Sequence, residues 1–284
     1  MAAPYEGDSA SQGTPGLKGV NSARGDGVFG DGGQAGRGVV GISGNHTGVE
    51  GFSDSGVALF GSSNSGEGVH GLSHSAGAAA VIGINDSTGP GVRGVSTGFD
   101  GVSGTSQSAQ HVGVAATNDG GGMGLLSQGN PAARFVGNVE VTGDIFLVNA
   151  DCSEDFDISP GQVTEPGTVM VIVNEGLLEP SSQAYDRRVA GVISGAGHYR
   201  SAITLDRRES CDGRASLALV GKVYCKVDAQ YAPITTGDLL TTSPTPGHAM
   251  KAYDATLAAG AVIGKALRPY SEGHGLIPIL VTLQ

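Results

Sequence analysis

Between Gly16 and Gly143 one short phrase recurs roughly every ten or eleven residues: an apolar residue, any residue, glycine, an apolar residue and a small residue. Good copies are Gly27-Val28-Phe29-Gly30, Gly38-Val39-Val40-Gly41-Ile42-Ser43, Gly48-Val49-Glu50-Gly51-Phe52-Ser53, Gly68-Val69-His70-Gly71-Leu72-Ser73 and Gly91-Val92-Arg93-Gly94-Val95-Ser96. Weaker copies surround Gly19, Gly61, Gly83, Gly101, Gly113 and Gly124. Taken as second glycines of the phrase, these positions step by 11, 11, 10, 10, 10, 12, 11, 7, 12 and 11 residues from Gly19 to Gly124. Disorder gives no such spacing, and collagen needs glycine at every third position. Regular apolar punctuation at a short period points to stacked β-rungs.

A rung this short holds one or two strands of three to five residues plus turns, at roughly 3.3 Å per residue. One chain cannot enclose a wide core with it. Three parallel chains wound together can, each supplying one wall of a triangular prism lined by Val, Ile, Leu and Phe. Glycine then turns the chain at the corners and lets backbones approach closely. The intervening polar stretches, such as Asn45-His46-Thr47 and Ser62-Ser63-Asn64-Ser65, belong in solvated turns.

The glycines also divide the chain. Residues 1–143 hold 36 of the 50 and residues 144–284 hold 14, which puts a boundary near Gly143. The expected organisation is an N-terminal attachment arm or lead-in (1–15), a repeat shaft (16–143) and a C-terminal β domain (144–284). Net charge is −11 and both halves are acidic, so nucleic acid is not an expected partner. No stretch approaches the roughly 20 apolar residues of a membrane span. The start, Met1-Ala2-Ala3-Pro4-Tyr5-Glu6, lacks the basic and apolar regions of a signal peptide, which implies synthesis in the cytoplasm. Cys152, Cys211 and Cys225 are far apart with no C-x-x-C, so reduced thiols are expected, with neither a metal site nor a cofactor.

From Asp144 onward the text is that of an ordinary β protein. Strands are expected at 145–148, 168–173, 188–194, 216–221, 223–227, 238–242, 261–267 and 276–283, with no amphipathic helix. The expected class is all-β: a trimeric glycine-rich β-helical shaft followed by a compact β-barrel or β-sandwich. Six motifs in this half carry a resemblance: Asp151-Cys152-Ser153-Glu154-Asp155-Phe156-Asp157, Pro166-Gly167-Thr168-Val169-Met170, Val189-Ala190-Gly191-Val192-Ile193-Ser194, Val220-Gly221-Lys222-Val223, Gly237-Asp238-Leu239-Leu240-Thr241-Thr242-Ser243 and Ile263-Gly264-Lys265-Ala266-Leu267. Together they resemble the peptidase G2 type domain, the autocleaving intramolecular chaperone that ends phage neck appendage proteins. The repeat resembles the Val-x-Gly text of phage needle and tail-fibre β-helices.

The resemblance implies that the C-terminal domain trimerises, sets the register of the three chains and nucleates the shaft. A repetitive sequence pairs almost equally well one repeat out of register, so an independently folding end is needed to select one alignment. It also implies a single self-cleavage at the junction. Asp151-Cys152 is then the candidate scissile bond, Cys152 or Ser153 the nucleophile, and Glu154 and Asp155 the acid and base. Cys152 stands where the family pattern leads one to expect serine. The competing structural reading has these acids capping a junction turn.

Other motifs reduce to repeat text. Gly94-Val95-Ser96-Thr97-Gly98 matches a nucleophile elbow, and Gly25-Asp26-Gly27-Val28-Phe29-Gly30 a dinucleotide fingerprint, but neither has a following helix. Arg24-Gly25-Asp26 is an integrin tripeptide by coincidence of composition. His70 could meet a metal on a three-fold axis, yet Lys18, Glu50 and Arg93 at equivalent places indicate an outward, solvated position. The charge clusters at 185–188 and 206–209 read as solvated turns, with salt bridges across a trimer interface as the sharper alternative.

The function expected is therefore a non-catalytic homotrimeric fibre or spike of a phage tail, a phage-derived injection apparatus or a bacterial surface appendage. It would be attached through its N-terminus to a larger assembly, with a C-terminal end for trimerisation and contact with a cell-surface receptor. Its place is the virion, a secretion apparatus or the extracellular surface. Self-processing is the alternative from the enzyme class, at most one turnover per chain. A polysaccharide-cleaving tailspike is the weaker third, since the rungs are too short for a broad acidic groove.

Overall fold

A computed structural model describes residues 18–22, 25–33, 36–162, 164–208, 210 and 212–282. The expected attachment arm (1–15), Arg24 of the tripeptide, Glu209 and Cys211 lie outside the described residues. The chain forms two compact units, Met1–Leu126 and Ser127–Gln284.

In the first unit the described residues carry neither helix nor strand. What orders them is paired glycines. Gly30 faces Gly38, Gly41 faces Gly48, Gly61 faces Gly68, Gly83 faces Gly91, Gly94 faces Gly101 and Gly104 faces Gly113, each pair closing a loop. The two members are not equivalent. A Cβ on Gly41, Gly61 or Gly94 would stand 2.5, 2.6 and 2.5 Å from Cγ2 of Val49, Val69 and Val102, besides striking a carbonyl. On the facing Gly48, Gly68 and Gly101 it would stand 3.1, 3.0 and 3.1 Å from one carbonyl oxygen. The second place thus admits no side chain, whereas the first admits a methyl with slight adjustment at Gly48, Gly68 and Gly101 but not at Gly38, Gly91 and Gly113, where a Cβ would stand 2.5–2.7 Å from the facing carbonyl oxygen. The sequence agrees: Ala58 and Ala80 occupy first places, opposite Gly51 and Gly71. Ala116, facing Gly124, departs from the rule at the last pair.

This pairing corrects the register read from sequence. Gly101, Gly113 and Gly124 are first-place residues, and Gly104 and Ala116 take the second place. The anomalous step of 7 disappears, and second places recur every ten to twelve residues from Gly19 to Ala116. The small residue two positions after the second place opens the turn. Ser43, Ser53, Ser63 and Ser96 accept through Oγ from the N–H of His46, Gly56, Gly66 and Phe99 at 2.9–3.0 Å. Asn85 and Asn118 do the same for Ser87 and Gly120.

The second unit holds ten strands: β1 (Asp151–Asp157), β2 (Val169–Ile172), β3 (Leu178–Pro180), β4 (Val189–Ile193), β5 (Ser201–Leu205), β6 (Arg214–Asp228), β7 (Leu239–Thr242), β8 (Ala249–Lys251), β9 (Val262–Ala266) and β10 (His274–Thr282). One helical turn, α1 (Ala255–Ala258), is capped by Asp254, whose carboxylate accepts from Thr256 N–H. Hydrogen bonding runs β10-β9-β7-β8-β6, and β6 pairs again with β10, closing a five-stranded barrel. The expected barrel-or-sandwich choice resolves to a barrel.

Alternation builds its interior. On β6, Val223, Cys225 and Val227 point inward while Lys222, Tyr224 and Lys226 do not. Ile277, Ile279 and Val281 of β10 meet them, with Leu240, Ile263 and Ala266 from the remaining wall. Burial pushes the Cys225 thiol far above its ordinary range, so it behaves as a small apolar group. Strands β4, β2 and β3 extend the sheet beyond β6 over a second core of Met170, Leu178, Ala190, Ile193 and Leu217.

Three strand expectations need correction. Gly221-Lys222 does not divide two strands; β6 is one strand of 15 residues that bends at Gly221 (φ 109°). A Cβ there would lie 2.6 Å from Ala150 O, so this glycine permits the close passage of the chain entering β1. Residues 145–148 form no strand. The acidic stretch 151–157, expected as a junction turn, is strand β1, parallel to β5 and antiparallel to β6.

Candidate functional site

Two places combine unusual chemistry with defined geometry. The first is the apolar row of the repeat unit. Ile42 and Phe52 are each 89% exposed and Ile84 83%, and the valines that pack over the paired glycines remain largely exposed as well. Within the described residues of this unit, one backbone-to-backbone hydrogen bond forms, Gly36 N–H to Gly32 O at 2.9 Å. Side-chain oxygens satisfy the turns, but among the described residues no ladder of backbone hydrogen bonds links the segments between turns. An apolar row beside unpaired backbone is what an assembling strand presents. Glu50, His70 and Arg93 are exposed too, and His70 Nδ1 contacts the Glu67 carboxylate.

The second place is β1, which carries all five sequence candidates. Alternation separates them. Asp151, Ser153 and Asp155 are buried on one face, while Cys152 and Glu154 are partly exposed on the other. Ser153 Oγ lies 2.7 Å from Ser201 Oγ and 3.2 Å from Thr204 Oγ1, so its partners are hydroxyls rather than a carboxylate. Asp155 accepts from Ser216 Oγ, and its carbonyl accepts from the Arg214 guanidinium. Asp151 is different: it is 2% exposed, and neither carboxylate oxygen has a hydrogen-bond partner. Burial raises its pKa above the ordinary carboxylate range, an effect the nearby Ser194 hydroxyl and its own backbone only partly offset. Cys152 lines an apolar cleft of about 380 Å³ with Ile145, Leu147, Ala202, Ile203 and Val220.

Sequence reading missed a third cluster, at one end of the barrel. Asp228, fully buried, accepts from Gln230 N–H at 2.8 Å, from Thr245 Oγ1 at 2.5 Å and from His274 Nε2 at 3.2 Å. The His274 ring packs on His248 with centroids 5.0 Å apart. Burial by itself would raise the Asp228 pKa; the hydrogen bonds from Thr245 and Gln230 and the neighbouring His274 outweigh it and hold the group below its ordinary value. No spacing in the sequence signals this network, because its members come from the end of β6, the start of β10 and the connections that hold Gln230 and Thr245. The charged turns also close within the chain. Arg188 forks onto Asp186 at 2.7 and 3.0 Å, and Asp206 binds both Arg208 and Arg214.

No family model and no curated protein matches the chain. Among solved structures it is similar to the pre-mature gene product 12 of bacteriophage phi29, at 15% identity and a TM-score of 0.38, covering 51% of this chain and 23% of that one. It is also similar to the C-terminal fragment of the same gene product (14%, TM-score 0.33, 46% of this chain and 100% of that one). A third likeness is to the N base of the phi29 head fibre gp8.5 (15%, TM-score 0.21, 47% and 90%). The chain spans less than a quarter of the length of the first of these.

Proposed function

We propose that the protein is a structural homotrimeric fibre or spike, with the repeat unit as its shaft and the barrel as the element that sets chain register. One observation carries this reading: the repeat unit exposes an apolar row and unpaired backbone at a period of ten to twelve residues. A covering surface must match that period along its whole length. Another copy of the same chain does so without further specification. Three copies close a prism and leave no sheet edge, whereas two leave edges open. The barrel, with its own core, folds before the repeats and removes their one-repeat ambiguity. A virion or related injection apparatus is the setting this reading assigns, with residues 1–15 as the attachment segment and the C-terminal end available to a cell-surface receptor. Multi-angle light scattering on the purified chain tests it. Three chain masses per particle is the expected result, and a compact monomer would sink the reading.

A second reading is favoured by Asp151. A buried, unpaired carboxyl with a raised pKa at the head of β1 holds its proton more tightly than an exposed one, which suits a general acid beside the Asp151-Cys152 bond. The chain would then act as a peptidase G2-like intramolecular chaperone that cleaves itself once, with Cys152 or Ser153 attacking and Glu154 or Asp155 assisting. A stable fragment of residues 152–284 on a denaturing gel, absent in Asp151→Asn, is the expected outcome. Intact chains after prolonged incubation would reject it.

A further inference from the structure

We propose that the second unit carries a binding site for an acidic saccharide, formed by His198, Tyr199, Arg200, Lys222 and Tyr224. His198, Tyr199, Arg200 and Lys222 border a cleft of about 290 Å³ completed by Val148, Asn149 and Ala150, a volume suited to one sugar ring, and Tyr224 packs against two of the rings. In a chain of net charge −11, this cleft is lined by two permanent cations and a histidine and by no carboxylate. Neither Lys222 nor Arg200 has a carboxylate within salt-bridge distance among the described residues. Elsewhere in this unit Arg188, Arg208, Arg214, Lys226 and Lys251 are neutralised by neighbouring acids. Arg187, Arg207, Lys265 and Arg268 are, like Lys222 and Arg200, outside any salt bridge among the described residues; what sets Lys222 and Arg200 apart is that both line one cleft. Unneutralised positive charge in one concave place is a standing attraction for an anion.

The surroundings are also preorganised. Arg200 Nη1 donates to the carbonyls of Gly195, Gly197 and Tyr199 at 2.8, 2.9 and 2.8 Å, fixing the loop between β4 and β5. That loop turns through Gly195 (φ 101°) and Gly197 (φ 60°), and a Cβ on Gly197 would stand 2.6 Å from the Tyr224 ring. The three rings brace one another, with centroids 4.5 Å apart for His198 and Tyr199, 5.3 Å for His198 and Tyr224, and 5.2 Å for Tyr199 and Tyr224. Tyr224 Oη and His198 Nδ1 are hydrogen bonded at 3.1 Å. Lys222 Nζ sits 5.3 Å from the Tyr199 ring centre, held by the π face while its remaining hydrogens stay free. Lys222 lies over the Tyr199 ring, and the three rings meet at tilted or edge-on angles of 43–73° rather than as one flat platform for a nucleobase. Cations and hydroxyls at the rim suit instead a sugar ring bearing a carboxylate.

The test is isothermal titration of the intact protein with a glucuronate-containing tetrasaccharide, a neutral maltotetraose and ATP. Expected are saturable, salt-sensitive binding of the acidic saccharide alone, a loss of about tenfold or more in Lys222→Glu, and retention in Lys222→Arg. Lys222 is exposed, so thermal melting should be unchanged in both variants. Ligand-induced shifts of the His198, Tyr199 and Tyr224 ring resonances in the unmodified chain give a second readout independent of the variants. Equal binding of maltotetraose, tighter binding of ATP, or acidic-saccharide binding that Lys222→Glu leaves intact would each overturn it. So would no binding at all.

Discussion

The two units use the same apolar residue types in opposite ways. In the barrel, Val223, Val227, Ile277 and Ile279 are at most 4% exposed, and the strands that carry them are paired along both edges of β6. In the repeat unit Ile42, Phe52 and Ile84 are more than four-fifths exposed, and among the described residues there a single backbone-to-backbone hydrogen bond forms. The difference lies in rung length. Strands of three to fifteen residues can wrap around a core within one chain, while loops closed every ten to twelve residues by paired glycines cannot. The barrel completes its own hydrophobic interior, and the repeats supply a fraction of one.

The largest expected effect comes from erasing the exposed row. Combining Ile42→Ser, Phe52→Ser and Ile84→Ser removes side chains each worth about 1.5–3 kcal/mol when buried. Three copies of each should dissociate the assembled particle, measured by light scattering, while the barrel's own melting transition stays in place. Loss of the barrel transition as well would show that the units do not fold separately.

A smaller contrast separates the two glycines of a pair. Gly61→Ala forces a methyl against Val69 and the Gly68 carbonyl and should destabilise the shaft by about 1–3 kcal/mol per chain. Gly68→Ala, at the place where Ala58 and Ala80 already stand, should cost well under half of that. Equal melting temperatures for the two variants would contradict the assigned register.

The barrel should respond to acid where the shaft does not. Asp228 has a folded pKa below its ordinary 3.8, so its contribution is fully present above that value. It is lost as pH falls through the folded value. Asp228→Asn should therefore lower the barrel's melting temperature near neutral pH and flatten its decline between roughly pH 5 and 2. An unchanged acid slope would show that the Thr245 and His274 contacts are not maintained in solution.

The smallest effect has the opposite sign. Asp151 has a raised folded pKa, so its ionisation opposes folding, progressively more as pH rises above 3.8. Asp151→Asn should stabilise the isolated barrel unit by about 1 kcal/mol at neutral pH. Destabilisation instead would mean that a partner chain satisfies this carboxyl in the assembly.

Strands whose inward residues are apolar were readable in advance. Val169–Ile172, Val189–Ile193, Val262–Ala266 and most of β10 follow from apolar runs bounded by glycine and proline. β1 was not, because the side chains it buries are Asp151, Ser153 and Asp155, and a pattern of alternating burial becomes invisible when the buried residues are polar. β6 was divided at Gly221, since glycine punctuation looks the same whether the chain turns or bends. Residues 145–148 have strand composition without a strand beside them. All five residues put forward for cleavage do share one strand, but alternation sends them to two faces, which linear spacing cannot reveal.

The sequence by itself determined that the chain is all-β, that it changes character near its middle, and that its first half is built on a short period. Those conclusions need only residue type and interval. The tertiary structure decided which glycines face each other and which member of several pairs is the more crowded, that β6 belongs both to the barrel and to its extension, and that Asp151, Asp228 and Lys222 occupy unlike electrostatic settings. These depend on which atoms approach within a few ångströms across gaps of seven to sixty residues, and at that range packing and desolvation act on neighbours in space rather than neighbours in the chain.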